Sequence, residues 1–248
     1  MAAFSKRIQI VMVEPDQYAQ IAAAFADVEM KYSLEAEELD LPAVMENVTW
    51  TQYEAFLDAL PDRYLRQAYY RGTLELREKT MRQQRTKCVI NSFICSAACE
   101  FGIHFRGFGS TTLTRKPLQC GVEPDESYFI ADEPTLRRLW NTDLGPEDVP
   151  APDLVVETDM DRAYLDRLIV FAAIGVPEVW KYDGTEVAFH RLTGEKNYEP
   201  IDASLSFPFL RPEDIHEFLE QRWETDGGTL TKAFLKHVKH RYERRTSP

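Results

Sequence analysis

The chain has 248 residues, 44% hydrophobic and 28% charged, a balance that suits a soluble globular protein with one sizeable core or one domain plus extensions. Its formal net charge of −12 excludes bulk, sequence-independent clamping of nucleic acid, which relies on many Lys and Arg against phosphates. It leaves room for a nuclease in which a divalent metal and a local basic strip offset the acidic average.

From the N-terminus, R-I-Q-I-V-M-V reads as a strand, Tyr18 to Val28 as a helix, and E-A-E-E-L-D as a solvated acidic stretch. Residues 1–62 hold twelve acidic side chains against three basic ones. In V-T-W-T-Q-Y-E-A-F-L-D-A-L, Thr51 and Glu54 have capping-box spacing, and Tyr53, Phe56, Leu57 and Leu60 form one apolar helical face. Y-Y-R-G-T-L-E-L-R-E predicts a hairpin turning at Gly72. Residues 80–101 predict a long helix with Ile90, Phe93, Ile94, Ala97 and Phe101 as its buried stripe and Gly102 as its C-cap. Lys79, Arg82, Arg85 and Lys87 sit in its first turns, where the helix dipole disfavours cations, so they mark either a tolerated surface or an anionic ligand.

Further on, I-H-F-R-G-F-G-S-T-T-L, E-S-Y-F-I and D-L-V-V-E read as strands, and D-E-P-T-L-R-R-L-W as a short helix with Pro134 in its first turn. Leu165, Leu168, Ile169 and Ala172 mark a helix ended by G-V-P. V-W-K-Y-D-G-T-E-V-A-F-H-R-L is a hairpin with Asp183-Gly184 as its turn, R-P-E-D-I-H-E-F-L-E-Q-R-W is another helix, and D-G-G is a linker. Residues 229–248 carry six Lys or Arg against Glu243, and Leu230, Ala233, Phe234 and Val238 make this tail an amphipathic helix. It reads as a docked helix with a solvated basic face, or as an arm for phosphates or an acidic partner. The order of elements predicts an α/β (α+β) fold around one central mixed sheet flanked by helices. The composition shifts divide the chain into an acidic extension over 1–46, a domain over 47–200 and a helical segment with a basic tail over 201–248.

Cys88, Cys95, Cys99 and Cys120 include no C-x-x-C pair, which excludes a zinc ribbon or redox motif and makes reduced core residues the expectation. No apolar run reaches the roughly 20 residues that span a bilayer. The opening M-A-A-F-S-K-R-I lacks the apolar core of a secretory signal, so cytoplasm is the expected location.

Two Pro-Asp stretches, V-E-P-D-E-S-Y and A-P-D-L-V-V-E-T-D, place carboxylates at strand ends. A metal-dependent nuclease needs oxygen ligands converging from adjacent strands, and Asp125 and Glu157 could converge if their strands pair. Turn chemistry and solvated acids are the alternative reading of the same residues. Asp159 and Asp161 are placed to cap the following helix. Glu157 and Asp159, two apart on one strand, would share a face and call for a cation, with Arg167 and Lys181 the nearest in sequence.

Six blocks in order, V-T-W-T-Q-Y-E-A-F, Y-Y-R-G-T-L-E-L, G-F-G-S-T-T-L-T-R, G-V-E-P-D-E-S-Y-F-I, P-D-L-V-V-E-T-D and D-R-L-I-V-F-A-A-I-G-V-P-E-V-W-K-Y-D-G, closely resemble the Uma-type putative restriction endonuclease family. They cover about residues 48–192. The resemblance implies a restriction endonuclease-like fold of the PD-(D/E)xK superfamily and Mg²⁺-dependent (or Mn²⁺-dependent) hydrolysis of DNA. Asp125 and Glu157 would ligate the metal, the Thr158 main-chain carbonyl completing the site, and Arg167 would steady the developing charge. DNA is the implied partner, and a homodimer is the assembly that cutting both strands would use; no membrane partner is implied. Two departures stand out. Asp159 occupies the place where the superfamily motif puts lysine, and Gln83-Gln84 stand where relatives carry a His-Glu pair. They motivate the alternative of a nuclease-like scaffold that has lost its chemistry and binds nucleic acid or a protein.

Overall fold

The computed structural model describes residues 43–59, 65–160 and 163–246. The predicted strand and helix before residue 43 lie outside them, as does Asp161. The described residues form two compact units, each with its own sheet, so the single central sheet expected from the sequence is replaced by two. The division runs through the chain several times, because strand pairing follows hydrogen-bond register and not order in sequence.

The first unit contains residues 43–59, 65–79, 112–123 and 163–174. Its strands are β1 (Ala43–Met45), β2 (Leu65–Tyr70), β3 (Thr73–Glu78), β5 (Leu113–Arg115) and β6 (Cys120–Val122), in the order β1-β3-β2-β6-β5 and antiparallel throughout. The predicted hairpin joins β2 to β3. Arg71 and Gly72 both take positive φ, at 47° and 94°, as a two-residue turn that follows strand twist requires. Helix α1 (Trp50–Ala59) buries Trp50, Tyr53, Phe56 and Ala59. Its capping box is Thr49 with Gln52, two residues earlier than predicted: Thr49 N donates to Gln52 Oε1 at 2.8 Å and Gln52 N to Thr49 Oγ1 at 3.3 Å. The helix starts early because Trp50 already belongs to the buried face. A Cβ on Gly121 of β6 would fall 2.2 Å from Tyr53 Oη, so glycine is what lets this ring lie against the strand. Helix α4 (Arg167–Ile174) packs on β2, β5 and β6, burying Val170, Phe171 and Ile174 while the predicted apolar position Ile169 is exposed.

The second unit contains residues 80–111, 124–160 and 175–246. Its sheet has the order β11-β10-β9-β8-β7-β4, from β4 (Phe105–Gly107), β7 (Glu126–Ile130), β8 (Leu154–Thr158), β9 (Glu178–Tyr182), β10 (Val187–Leu192) and β11 (Tyr198–Ile201). Only β8 and β9 run parallel, which makes this the mixed sheet of the prediction. The long helix, α2 (Met81–Glu100), opens on a Thr80/Gln83 capping box and closes with Gly102 at φ 66° and Ile103 N bonded to Ala98 O at 2.9 Å, a Schellman arrangement. Ile90, Phe93, Ile94 and Ala97 of α2 pack with Leu154, Val156 and Trp180 of the sheet and with Phe218 and Phe234 from α5 (Pro212–Glu220) and α6 (Gly227–Thr246). The short α3 (Glu133–Trp140) starts as predicted, with Asp132 capping Thr135 N at 2.9 Å.

The basic tail is docked by its apolar stripe: Leu230, Phe234 and Val238 are buried, and Arg241 and His237 both reach the buried Asp214. The predicted D-G-G linker is instead the start of α6, with Asp226 Oδ1 accepting from Gly228 N and Thr229 N at 2.9 and 3.0 Å. All four cysteines are free, but Cys88 and Cys99 are exposed rather than core residues. They fall on the outward side of α2, whose inward side carries the Ile90, Phe93, Ile94 and Ala97 stripe. No helix among the described residues is long and apolar enough to cross a membrane.

Candidate active site

Strand parity organises the second unit's sheet. Leu154, Val156, Trp180 and Tyr182 enter the helix-covered core. Alternation therefore turns Val155, Glu157, Val179 and Lys181 to the opposite face. Strands β7 and β8 are antiparallel with Glu126 opposite Val156. Asp125, one residue ahead of β7, continues that register opposite Glu157.

The two carboxylate residues meet. Asp125 N donates to Glu157 Oε1 at 3.1 Å, and Thr158 N and Oγ1 both donate to Asp125 Oδ2 at 2.6 Å. Both residues are only 3% exposed. Charge-assisted bonds of this length fix the Asp125 carboxylate in one orientation. On the far side of Glu157, the parallel register with β9 sets Lys181 directly beside it. Asp125, Glu157 and Lys181 thus form a row across three neighbouring strands on one face.

The sequence profile of Uma2, described as a putative restriction endonuclease family, matches residues 50–225. The chain belongs to this family. Among solved structures, a putative nuclease belonging to DUF820 from Anabaena variabilis ATCC 29413 is similar at 21% identity, covering 62% of this chain and 90% of that one with a TM-score of 0.41. No curated protein matches. The resemblance read from the ordered blocks is therefore confirmed at the level of family, and membership in the Uma2 family supports a nuclease function.

The other candidates from the sequence have the following surroundings within their own units. Arg167 belongs to the first unit, is 5% exposed at the start of α4, and donates from Nη2 to the main-chain oxygen of Glu123. Asp159 is buried at 8% exposure, just past the end of β8, and does not cap α4. That task falls to Asp166, whose Oδ1 accepts from Leu168 N at 3.0 Å. Gln83, which the resemblance set against a His-Glu pair, caps its own helix: its side chain accepts from Thr80 N at 3.2 Å.

Lys87 is the residue whose place beside Asp125 sequence reasoning did not assign. Its Nζ lies 3.2 Å from the Asp125 main-chain oxygen, 3.4 Å from Ser110 Oγ and 3.4 Å from Glu126 Oε1. The cation in the early turns of α2 thus meets the Asp125 end of β7. Its signal was the unfavourable charge at a helix N-terminus. Burial holds the Glu126 carboxyl above its usual range, opposed by the Lys87 ammonium and reinforced by the charge of Asp125.

The pair suits one kind of metal. Mg²⁺ keeps several waters and binds through one or two carboxylates plus substrate phosphate, a demand that Asp125 and Glu157 meet in number and type. An all-protein cage is a different matter: among the described residues no group of three or more His, Cys, Asp or Glu is arranged to hold an ion.

Proposed function

We propose that the chain is a Mg²⁺- or Mn²⁺-dependent endonuclease that hydrolyses DNA phosphodiester bonds at the Asp125–Glu157 pair. The observation that carries this reading is the buried contact between two carboxylate-bearing residues on adjacent strands. Burial makes a carboxylate's charge costly unless it is paired or hydrogen-bonded, and a divalent ion held between the two residues is one such partner.

Asp125 and Glu157 would hold the ion, which supplies Lewis acidity toward the phosphate and a water of lowered pKa. Thr158 holds the Asp125 carboxylate through its amide and hydroxyl, and Asp125 N holds that of Glu157. Neither side chain has to reorganise when substrate arrives, and such preorganisation is what makes fixed charges effective. The Thr158 carbonyl as a further ligand, and the charge-steadying role implied for Arg167, are separate proposals of the resemblance. Arg167→Lys tests the second, since lysine keeps the charge but not the planar fork.

The purified chain should nick supercoiled plasmid with Mg²⁺ or Mn²⁺, and Glu157→Ala should not. Equal nicking by the variant would end the assignment. Light scattering in the same buffer tests for the homodimer that cutting two strands would use.

Asp159 in the motif's lysine place favours a second reading, a scaffold that binds nucleic acid without cutting it. Calorimetry separates the two. A single Mg²⁺ site lost in Asp125→Asn supports the enzyme, and no heat at millimolar Mg²⁺ supports the scaffold.

A further inference from the structure

The row on the face of the sheet opposite the helix-covered core contains a cation, Lys181. Lys181 is part-buried in the middle of β9, in register with Glu157 on one side and Ala188 on the other. Among the described residues, its ammonium makes no hydrogen bond or ion pair. Lys87 in the same unit shows the contrast, with three oxygen acceptors for its three N–H donors.

The ammonium is not one of the buried nitrogens left without a partner, so its stem is covered while its head stays open to water. The neighbouring strand offers Glu157, roughly 5 Å away by strand spacing, yet its Oε1 is held by Asp125 N. Ala188 leaves the long stem room and supplies no polar group. A ligand oxygen that enters from outside can take the place of that water. A group drawn both to a divalent ion at two carboxylates and to an ammonium one strand away is a phosphate.

We propose that Lys181 is a catalytic residue of this site, its ammonium contacting a non-bridging oxygen of the phosphate held at Asp125–Glu157 and offsetting the charge that develops there. The inference rests on the nuclease reading of that pair. It gives this chain a substrate-facing cation although Asp159 stands in the motif's lysine position. The cation comes from the adjacent parallel strand, on the same face as Glu157. No proton or bond changes hands at the amine; its contribution is fixed charge.

The experiment compares the unaltered chain, Lys181→Met, Lys181→Arg and Glu157→Ala in two assays. The first is binding of a short DNA duplex in Ca²⁺ across a salt series, which needs no turnover. The second is plasmid nicking at saturating Mg²⁺. Loss of one phosphate contact should lower the salt slope of Lys181→Met by about 1. Loss of a charge-stabilising donor should lower its nicking by about 10²–10³-fold. Lys181→Arg should recover the slope, and Glu157→Ala should keep the slope while losing nicking. Calorimetry should give Lys181→Met the same or tighter Mg²⁺ affinity, because a repelling charge has gone; a merely structural lysine would not give that pattern.

An unchanged slope and an unchanged nicking rate in Lys181→Met overturn the proposal, as does recovery of full nicking by extra Mg²⁺ alone. If Lys181→Met folds poorly, Lys181→Gln carries the same comparison. An unaltered chain that neither nicks nor binds Mg²⁺ sinks the nuclease reading, and the salt slope then still decides whether Lys181 touches phosphate.

Discussion

Glu157 on β8 and Glu178 on β9 are buried carboxylates on neighbouring strands of one sheet, 3% and 0% exposed. Parity turns them to opposite faces, and their surroundings differ in kind. Glu178 accepts from Trp180 Nε1 at 2.7 Å, Leu205 N at 3.1 Å and Ser206 N at 2.8 Å. Those neutral donors all come from its own strand and one nearby loop, so its role is to tie that loop to the core. Glu157 instead meets the residue of a second carboxylate and stands beside a lysine with no partner among the described residues. A carboxylate saturated by neutral N–H groups stabilises a fold. One set in a row of charges is the place where the proposed chemistry would sit.

Substitution can break that contrast most sharply at Glu157. Glu157→Gln keeps the shape but removes the charge and should lower plasmid nicking by about 1000-fold, the rate equivalent of several kcal/mol. Its thermal melting should stay close to that of the unaltered chain, since a costly buried charge has been removed. A large drop in melting temperature with nicking retained would reverse the roles assigned to the two glutamates.

Glu178→Ala should do the opposite. Three donors lose their acceptor, and leaving a buried donor unsatisfied costs about 1–3 kcal/mol. Urea unfolding measures the loss, and nicking per folded molecule should hold. Next in size is Lys87→Met, which releases the Asp125 main-chain oxygen and should weaken Mg²⁺ binding by about tenfold in calorimetry, the usual cost of losing a ligand's supporting bond. Affinity unchanged in that variant would mean that Lys87 serves only Glu126.

What the sequence made legible follows from how local each signal is. The Gly72 and Asp183-Gly184 turns, the Ile90–Phe93–Ile94–Ala97 stripe and the short helix with Pro134 in its first turn depend on residues within a turn or two, and they form as predicted. The pairing of β6 with β2, by contrast, joins Val122 to Ala68 across a long stretch of chain, and it separates two sheets where one was expected. The candidate pair was visible because two Pro-Asp strands announced it. The place of Lys181 in that row was not, because only the parallel β8–β9 register sets it beside Glu157. Lys181 was named as a nearby cation by sequence distance alone, while Lys87 on α2 was seen only as a misplaced helix charge. Asp159, read as a cap, lost that role because α4 begins eight residues further on, beside Asp166.

The smallest effect tests whether the hairpin turn positions Lys181. Asp183 Oδ1 accepts from Thr185 N at 2.8 Å, Thr185 Oγ1 at 2.7 Å and Glu186 N at 2.8 Å, closing the β9–β10 turn two residues beyond Lys181. These bonds, the one from Glu186 foremost, hold the Asp183 carboxyl below the ordinary value of about 3.8. A depressed pKa contributes stability that is present above the unfolded value and fades as pH falls through the folded one. Asp183→Ala should therefore cost about 1 kcal/mol at neutral pH, the net worth of an exposed hydrogen-bonded turn. The gap to the unaltered chain should close progressively below about pH 4. Nicking should fall by no more than a few-fold if β9 keeps its register through its β8 pairing. A loss as large as that of Lys181→Met would show that the turn, more than the parallel pairing with Glu157, sets where the ammonium stands.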